Sequence, residues 1–161
     1  MATNLCLPRN HIMSLFFTAM QSEHLDAVWR IERVAHSHPW TESMVRDLNS
    51  RGARHQVMLV DEQVVGYFYA QNIVGEVTLL NIAIDPAMQG KGYGKQLLDH
   101  FIAQCEQQNA ESAWLEVRES NQRAFHLYQQ AGFNEIDRRI NYYPAANGKS
   151  EDAIIMSYLF L

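Results

Sequence analysis

Residues 79–95 read LLNIAIDPAMQGKGYGK, an apolar run followed by a loop with three glycines in five positions. A helix-like run from Gln96 to Gln108 comes next. Because glycine has no side chain beyond Cα, such a loop turns tightly and lets a ligand approach the backbone closely. At a helix start, unpaired N–H groups and the positive end of the helix dipole favour an anion. The order of strand, glycine loop and helix therefore predicts a phosphate-binding site.

The spacing of this loop argues against two familiar nucleotide-binding motifs. A dinucleotide fingerprint, G-x-G-x-x-G, that began at Gly90 would need glycine where the chain has Lys95. A P-loop would need serine or threonine after Gly94-Lys95, and Gln96 stands there. The motif that remains is Q-x-x-G-x-G over residues 89–94. A plain glycine-rich turn between a strand and a helix stays open as the alternative.

The composition predicts a single globular domain. The chain has 161 residues, of which 47% are hydrophobic and 19% charged, a balance typical of folded proteins. Its net charge of −5 argues against general nucleic-acid binding. Two cysteines give no disulfide framework, which favours the reducing cytoplasm, and no apolar run reaches the roughly 20 residues of a membrane span. We expect a flexible extension or start-site artefact at residues 1–13 and one domain over residues 14–161.

Hydrophobic periodicity predicts an α/β fold with helices on the faces of a mixed sheet. The expected strands cover residues 14–18, 56–60, 64–72, 76–84, 112–118, 133–142 and 153–160. A first helix follows Leu25, and a second is expected to open at Thr41 as its N-cap. The third follows the glycine loop and presents the apolar stripe Leu97, Leu98, Phe101, Ile102 and Cys105. The fourth covers residues 122–131 and ends at Gly132.

A carboxylate stands inside an otherwise apolar strand at Trp114–Arg118. Alternation places Glu116 on the opposite face of this strand from its apolar neighbours. Tyr128 lies on the next helix, and both this helix and the glycine loop follow strand ends, where open α/β sheets bind ligands. Two plainer interpretations stay open. Glu116 pairs with Arg118 or Arg123 on a solvated face, or Tyr128 is half-buried packing.

Two histidines and one aromatic segment are ambiguous. His36 and His38 have no third ligand at metal spacing, so a structural role is favoured over a metal site. The segment NYYP at residues 141–144 fits an aromatic surface turn as well as the wall of a substrate site.

Together, these segments resemble the GCN5-related N-acetyltransferase family over about residues 14–160. The matching residues are His38–Glu42, Leu80–Pro86, Gln89–Gly94, Trp114–Arg118, Ser120-Asn121, Ala131–Phe133 and Arg139–Pro144. The loop and the AGF ending are common to many N-acetyltransferases, whereas WLEVR and NYYP are more diagnostic of N-terminal acetyltransferases. The resemblance implies a mixed, mostly antiparallel twisted sheet of about six to seven strands flanked by about four helices.

The resemblance also implies the chemistry. Glu116 matches the family's general base and Tyr128 its general acid, with acetyl-coenzyme A as cosubstrate and no metal. The residues that match the coenzyme-binding set are Ile82, Ala83, Ile84, Gly90, Lys91, Gly92, Tyr93, Gly94, Lys95 and Asn121. The implied acceptor is the N-terminal alanine of a small-subunit ribosomal protein, with no nucleic acid or membrane as partner. One departure is Gly90, where the family commonly has a basic residue.

Two other functions stay open at this point. The same fold with another acceptor would acetylate a small amine, an antibiotic or a lysine side chain. A non-catalytic sensor of acyl-coenzyme A is the alternative from a different class, and the presence of both Glu116 and Tyr128 argues against it.

Overall fold

The computed structural model describes residues 13–161, so the expected extension, apart from Met13, lies outside the described residues. The strands are β1 (Leu15–Ala19), β2 (Gln56–Val60), β3 (Gln63–Ile73), β4 (Glu76–Ile84), β5 (Ser112–Arg118), β6 (Asn134–Pro144) and β7 (Ser150–Leu159). The α-helices are α1 (Leu25–Ala35), α2 (Glu42–Arg46), α3 (Tyr93–Gln107) and α4 (Gln122–Ala131). Each predicted strand and helix is found.

The strands form one sheet in the order β1-β2-β3-β4-β5-β7-β6. Neighbouring strands are antiparallel except for β4 and β5, which are parallel. A parallel pair needs a crossover, and α3 supplies it because it lies between β4 and β5 in the chain. The expectation of a mixed, mostly antiparallel sheet flanked by four helices is therefore confirmed.

The two parallel strands separate halfway along their length. Their pairing covers Glu76–Leu79 of β4 and Ser112–Leu115 of β5. One extra residue, Leu80, then shifts the register of β4 against β3, which is a β-bulge that bends the strand. From Asn81 onward β4 pairs only with β3, while β5 continues along β7. The sheet therefore opens between these strands.

Helices cover both faces of the sheet. On one face, α3 and α4 bury their apolar side chains against Ala113, Leu115 and Val117 of β5. The stripe predicted on α3 is confirmed, with Ile102 partly rather than fully buried. On the other face, α1 and α2 pack against β2, β3 and β4 in a second cluster. No helix within residues 13–161 is both long enough and apolar enough to span a membrane.

The ends of the elements follow local chemistry. The Thr41 hydroxyl accepts a hydrogen bond from the Met44 amide at 3.3 Å, so its predicted N-cap is confirmed. Helix α4 ends at Gly132, whose φ of 112° belongs to the left-handed region. Helix α3 begins at Tyr93 rather than at Gln96, because Gly92 already serves as its N-cap. Tyr93, Gly94 and Lys95 of the predicted loop therefore lie in the first turn of α3.

Candidate active site

The opening between β4 and β5 is a cleft of about 770 Å³. The cleft has two sides, the loop side and the α1 side. The loop side consists of the glycine loop, Gly90–Lys95, together with Asn121–Tyr128, which runs from the N-cap along α4. The α1 side consists of His36, His38, Trp40 and Asn81. Glu116 lies in the cleft on β5, between these two sides.

The glycine loop adopts a conformation that few other residues could. Gly90 and Gly92 have φ values of 79° and 81°, in the region that costs a residue with Cβ about 1–2 kcal/mol. A Cβ built at either position would have no heavy atom within 4 Å. The backbone conformation, rather than crowding by the protein, therefore requires glycine here. It also leaves space in which a ligand can approach the loop amides and the start of α3.

Neighbouring contacts fix where the loop begins. The Asp85 carboxylate accepts a hydrogen bond from Arg30 of α1 at 2.9 Å and another from the Ala87 amide at 3.0 Å. The Gln89 side chain contacts the Arg123 guanidinium of α4 at 3.4 Å. The loop is thereby attached to α1 on one side and to α4 on the other.

The predicted coenzyme-binding residues line the cleft with one exception. Ile82, Ala83 and Ile84 belong to the part of β4 whose edge no longer pairs with β5. Lys95 also lines the cleft, and its ammonium pairs with Asp99 at 2.9 Å. Lys91 is exposed and is the one member of the set that does not line the cleft.

Two further members of the set have structural roles of their own. The side chain of Tyr93 is buried in the core formed by α3 and α4, and the residue also lines the cleft. The Asn121 side chain accepts a hydrogen bond from the Ala124 amide at 3.3 Å and caps α4. The side chain therefore fixes the start of α4, and its contact with the coenzyme stays a prediction.

Glu116 does not form the surface ion pairs that its sequence neighbours suggested. Its carboxylate lies 3.4 Å from the Arg139 guanidinium of β6, with 31% of the side chain exposed. Arg118 instead pairs with Glu151 at 3.0 Å, and Arg123 contacts the loop. Ser120 and Arg118 together lower the pKa of Glu151 by donating hydrogen bonds to it. Glu116 therefore keeps a partly solvated carboxylate in the cleft, beside a single guanidinium.

Tyr128 lines the cleft from α4, on the face of the sheet opposite to α1 and α2. The residue is 7% exposed, its ring packs against Phe133, and it also lines the cleft. Burial raises the pKa of Tyr128, and the nearby Tyr143 adds to this shift. Within residues 13–161 no protein group forms a hydrogen bond with its phenolic oxygen. The phenol is therefore held in its protonated form and is available to an incoming group.

Tyr143 is a cleft residue that the sequence left undecided. An irregularity in β6 between Arg139 and Tyr143 changes the register against β7, and Asn141 within it has a φ of 52°. Burial raises the pKa of Tyr143, and so does the nearby Glu116 carboxylate. Tyr143 thus lies near both Glu116 and Tyr128. NYYP contributes this one residue to the cleft rather than forming only a surface turn.

The α1 side was not identified as part of the site from the sequence. The His36 ring nitrogen Nε2 lies 2.9 Å from Oδ1 of Asn81, and His38 and Trp40 continue this side. Among residues 13–161 no group of three or more histidine, cysteine, aspartate or glutamate side chains is arranged to hold a metal ion. One feature of the sequence could have indicated this side. Glu32 and His36 are one helical turn apart, directly before the matched segment His38–Glu42.

Comparisons with known proteins agree with this geometry. The family model described as "Acetyltransferase (GNAT) family" matches residues 25–133. A Salmonella typhimurium protein named [ribosomal protein bS18]-alanine N-acetyltransferase is 41% identical over 140 residues, which are 86% of this chain and 93% of that protein. The crystal structure of the ribosomal-protein-S18-alanine N-acetyltransferase from Escherichia coli has a TM-score of 0.85 at 36% identity, with 91% of this chain and 94% of that one covered.

The fold is also shared with a protein of much lower sequence identity. Arabidopsis thaliana NAA60, solved in complex with acetyl-CoA, has a TM-score of 0.81 at 15% identity and covers 91% of this chain and 99% of its own. At that identity the likeness concerns the fold alone. The family match spans more than half of the chain and the Salmonella relative aligns over most of it, so this chain belongs to the GNAT family of acetyltransferases.

Proposed function

We propose that this protein transfers the acetyl group of acetyl-coenzyme A directly to the N-terminal α-amine of ribosomal protein bS18, at alanine. The observation that carries the proposal is the cleft itself. It brings a glycine loop at a helix start, a carboxylate and a buried phenol to the point where β4 and β5 separate. The relatives from Salmonella and Escherichia coli, which match nearly the whole chain, are named for this acceptor.

The loop side fits the coenzyme by its backbone. The amides of Gly90–Lys95 and the start of α3 would bind the pyrophosphate, with charge added by Lys95. The free edge of β4 at Ile82–Ile84 would hold the pantetheine arm through backbone hydrogen bonds, as an added strand would. Asn121 would contact the coenzyme from the start of α4. Lys91, which is exposed and does not line the cleft, would contribute at most through its amide.

Glu116 fits the role of the general base. A protein N-terminal amine has a pKa of about 7.7–8.0, against about 10.4 for lysine, so roughly a tenth of it is already neutral near pH 7. A partly solvated carboxylate, acting directly or through a water molecule, is sufficient to accept the remaining proton. The amine nitrogen then bonds to the thioester carbonyl carbon. Amides of β4 would stabilise the oxyanion that develops.

Tyr128 fits the role of the general acid. When the carbon–sulfur bond breaks, the leaving thiolate needs a proton, and it has a basicity similar to that of cysteine, at about 8.5. The Tyr128 phenol remains protonated because burial raises its pKa, so it can supply this proton. Glu116 releases the proton that it takes from the amine to solvent. The proton that the nitrogen still loses after the attack returns through water to Tyr128, so both groups recover their starting forms. No covalent enzyme intermediate is needed.

The test is an acceptor panel. Purified protein and acetyl-coenzyme A are incubated with the bS18 N-terminal peptide, peptides with other first residues, lysine-containing peptides with blocked N-termini, and small amines, and sites are mapped by mass spectrometry. We expect acetylation of the bS18 peptide at its α-amine to be fastest. Preference for a lysine or a small amine would replace the proposed acceptor. Absence of any acetylated product would favour the non-catalytic sensor.

The same proposal has a cellular measurement. Intact-mass analysis of ribosomal proteins from a strain that lacks this chain should show bS18 lighter by one acetyl group. Complementation with the wild-type gene should restore the mass. An unchanged bS18 mass in the deletion strain would contradict the proposed acceptor.

A further inference from the structure

The most unusual polar group outside the proposed chemistry is Glu32 on α1. It is fully buried, with 0% exposure, and three donors converge on its carboxylate. The Tyr67 hydroxyl and the Asn81 amide donate to Oε1 at 2.6 and 2.8 Å, and the Trp40 backbone N–H donates to Oε2 at 2.9 Å. The three donors come from β3, from β4 and from the segment between α1 and α2.

This carboxylate has no strong cationic partner. Within the described part of the chain no lysine or arginine nitrogen lies within 4.0 Å of it, and the His36 ring nitrogen Nε2 lies 3.6 Å from Oε1. Burying a carboxylate is costly unless hydrogen bonds compensate it. The three donors supply that compensation, and two of them also fix residues of the α1 side, Asn81 and Trp40. An apolar side chain could fill the same space but could not orient these groups.

Two of the residues that donate to Glu32, Asn81 and Trp40, line the cleft. Asn81 uses its remaining oxygen to hold His36 at 2.9 Å, so the carboxylate, the amide and the imidazole form a chain that ends in the cleft lining. Tyr67 anchors this chain in the apolar cluster under α1 and α2. The side chain of Glu116 lies on the same face of the sheet, because the apolar residues of β5 point to α3 and α4.

We propose that Glu32 is a positioning residue for the acceptor. Its carboxylate fixes Asn81, and through it His36, as well as the backbone at Trp40, so that the α1 side binds the amine substrate in front of Glu116. Glu32 itself touches neither the substrate nor the reacting atoms. This inference rests on the proposed function, which assigns the loop side to the coenzyme and leaves the α1 side for the acceptor.

The chain offers a matched pair of variants to test it. Tyr67 and Tyr69 are neighbouring buried tyrosines in one cluster, with ring centroids 5.8 Å apart. The Tyr67 hydroxyl donates to Glu32, whereas the Tyr69 hydroxyl donates to the Val45 carbonyl at 2.7 Å. Tyr67→Phe and Tyr69→Phe each remove one buried hydroxyl and one hydrogen bond. Only the first removes a donor from Glu32.

Glu32→Gln is the direct variant. The amide keeps the shape and retains one oxygen for Tyr67 and Asn81, but it directs an NH2 group at the Trp40 N–H, which is also a donor. The assays use whichever acceptor the wild-type protein acetylates fastest in the panel, so the comparison does not depend on bS18 being that acceptor. KM and kcat are measured for that acceptor and for acetyl-coenzyme A, with melting temperatures for all variants.

We expect Glu32→Gln to raise KM for the acceptor about tenfold and Tyr67→Phe to raise it by a smaller factor, because small displacements of binding groups are costly. KM for acetyl-coenzyme A should change less than twofold, and Tyr69→Phe should leave the acceptor KM at the wild-type value even if it melts earlier. If Glu32→Gln fails to fold, Tyr67→Phe against Tyr69→Phe carries the test.

Three results would overturn the inference. Equal acceptor KM values in Tyr67→Phe and Tyr69→Phe would show that only general stability is involved. A fall in kcat at constant KM would place Glu32 in the chemical step instead of in acceptor binding. A wild-type protein that acetylates no amine would remove both this inference and the proposed function.

Discussion

The two sides of the cleft are built from different materials. On the loop side, the groups offered to a ligand are mostly backbone amides, because Gly90 and Gly92 have left-handed φ values and the start of α3 presents unpaired amides. The α1 side is formed by side chains instead, because Glu32, Asn81 and His36 are linked by hydrogen bonds between α1 and β4. The first side depends on local conformation, and the second depends on contacts between distant segments.

The two sides should therefore tolerate different kinds of substitution. The loop side should be sensitive to changes in backbone freedom and insensitive to most changes of side chain. The α1 side should respond to the loss of single hydroxyl or carboxylate groups. Glu116 lies between the two sides and Tyr128 belongs to the α4 part of the loop side, and changes at these two residues should affect turnover rather than the binding of either substrate.

The largest expected effect is at Glu116. Glu116→Gln keeps the size of the side chain but removes the base, so kcat should fall about 10³-fold, within the usual range for general base catalysis. The affinity for acetyl-coenzyme A, measured by calorimetry, should stay within twofold of the wild-type value. Glu119→Gln is the control, because Glu119 pairs with Arg138 at 3.1 Å and does not line the cleft. Wild-type turnover in Glu116→Gln would remove Glu116 from the chemistry.

A second, smaller loss of turnover is expected at Tyr128. Tyr128→Phe removes only the hydroxyl, and kcat should fall about 10²-fold, the lower limit for general acid catalysis. The matched control is Tyr158→Phe, since the Tyr158 ring also packs against Phe133 but does not line the cleft. Single-turnover acetylation measured by rapid quench would show whether the chemical step itself slows. A loss confined to acetyl-coenzyme A binding would contradict the role of general acid.

The loop side can be disturbed without changing any polar side chain. Gly92→Ala adds a methyl group where φ is 81° and should destabilise the protein by about 1–2 kcal/mol. KM for acetyl-coenzyme A should rise about tenfold, because the loop amides move. KM for the acceptor should not change, which is the reverse of the pattern expected for Glu32→Gln.

Gly75→Ala provides the control for that experiment. Gly75 also has a positive φ, 86°, and a Cβ there would make only ordinary contacts with Glu111. It lies between β3 and β4, at the opposite end of β4 from the glycine loop. Both variants should melt earlier, but only Gly92→Ala should alter coenzyme binding. An equal KM for acetyl-coenzyme A in the two variants would contradict a coenzyme role for the loop.

The same contrast explains what the sequence revealed. The glycine loop lies in one contiguous segment, so the spacing of Gln89, Gly92 and Gly94 was enough to predict it, and β5 with Glu116 followed from simple alternation. The fold and the family expectations are confirmed for the same reason, since periodicity and local motifs carry them. The roles of the individual site residues remain predictions.

The α1 side could not be predicted in this way. Glu32 looks like an ordinary polar residue of an amphipathic helix, and its burial depends on Tyr67 and Asn81, which are distant in the sequence. The partner of Glu116 is likewise distant, because β6 lies beyond β7 in the sheet and an irregularity there sets the positions of Arg139 and Tyr143. Such contacts depend on tertiary register, which no local pattern specifies.

The smallest expected effect concerns pH. A general acid must be protonated, and an ordinary tyrosine would lose half of its protons at about pH 10. Because burial raises the pKa of Tyr128, its protonated form should persist above that pH, so kcat at saturating substrate should change less than about twofold between pH 8 and pH 10. The measurement is the kcat profile of the wild-type protein beside that of Tyr128→Phe. A decline below about pH 10 that is present in the wild type and absent in Tyr128→Phe would show that Tyr128 titrates normally. Tyr128 would then be more open to water in the working enzyme than its packing against Phe133 indicates.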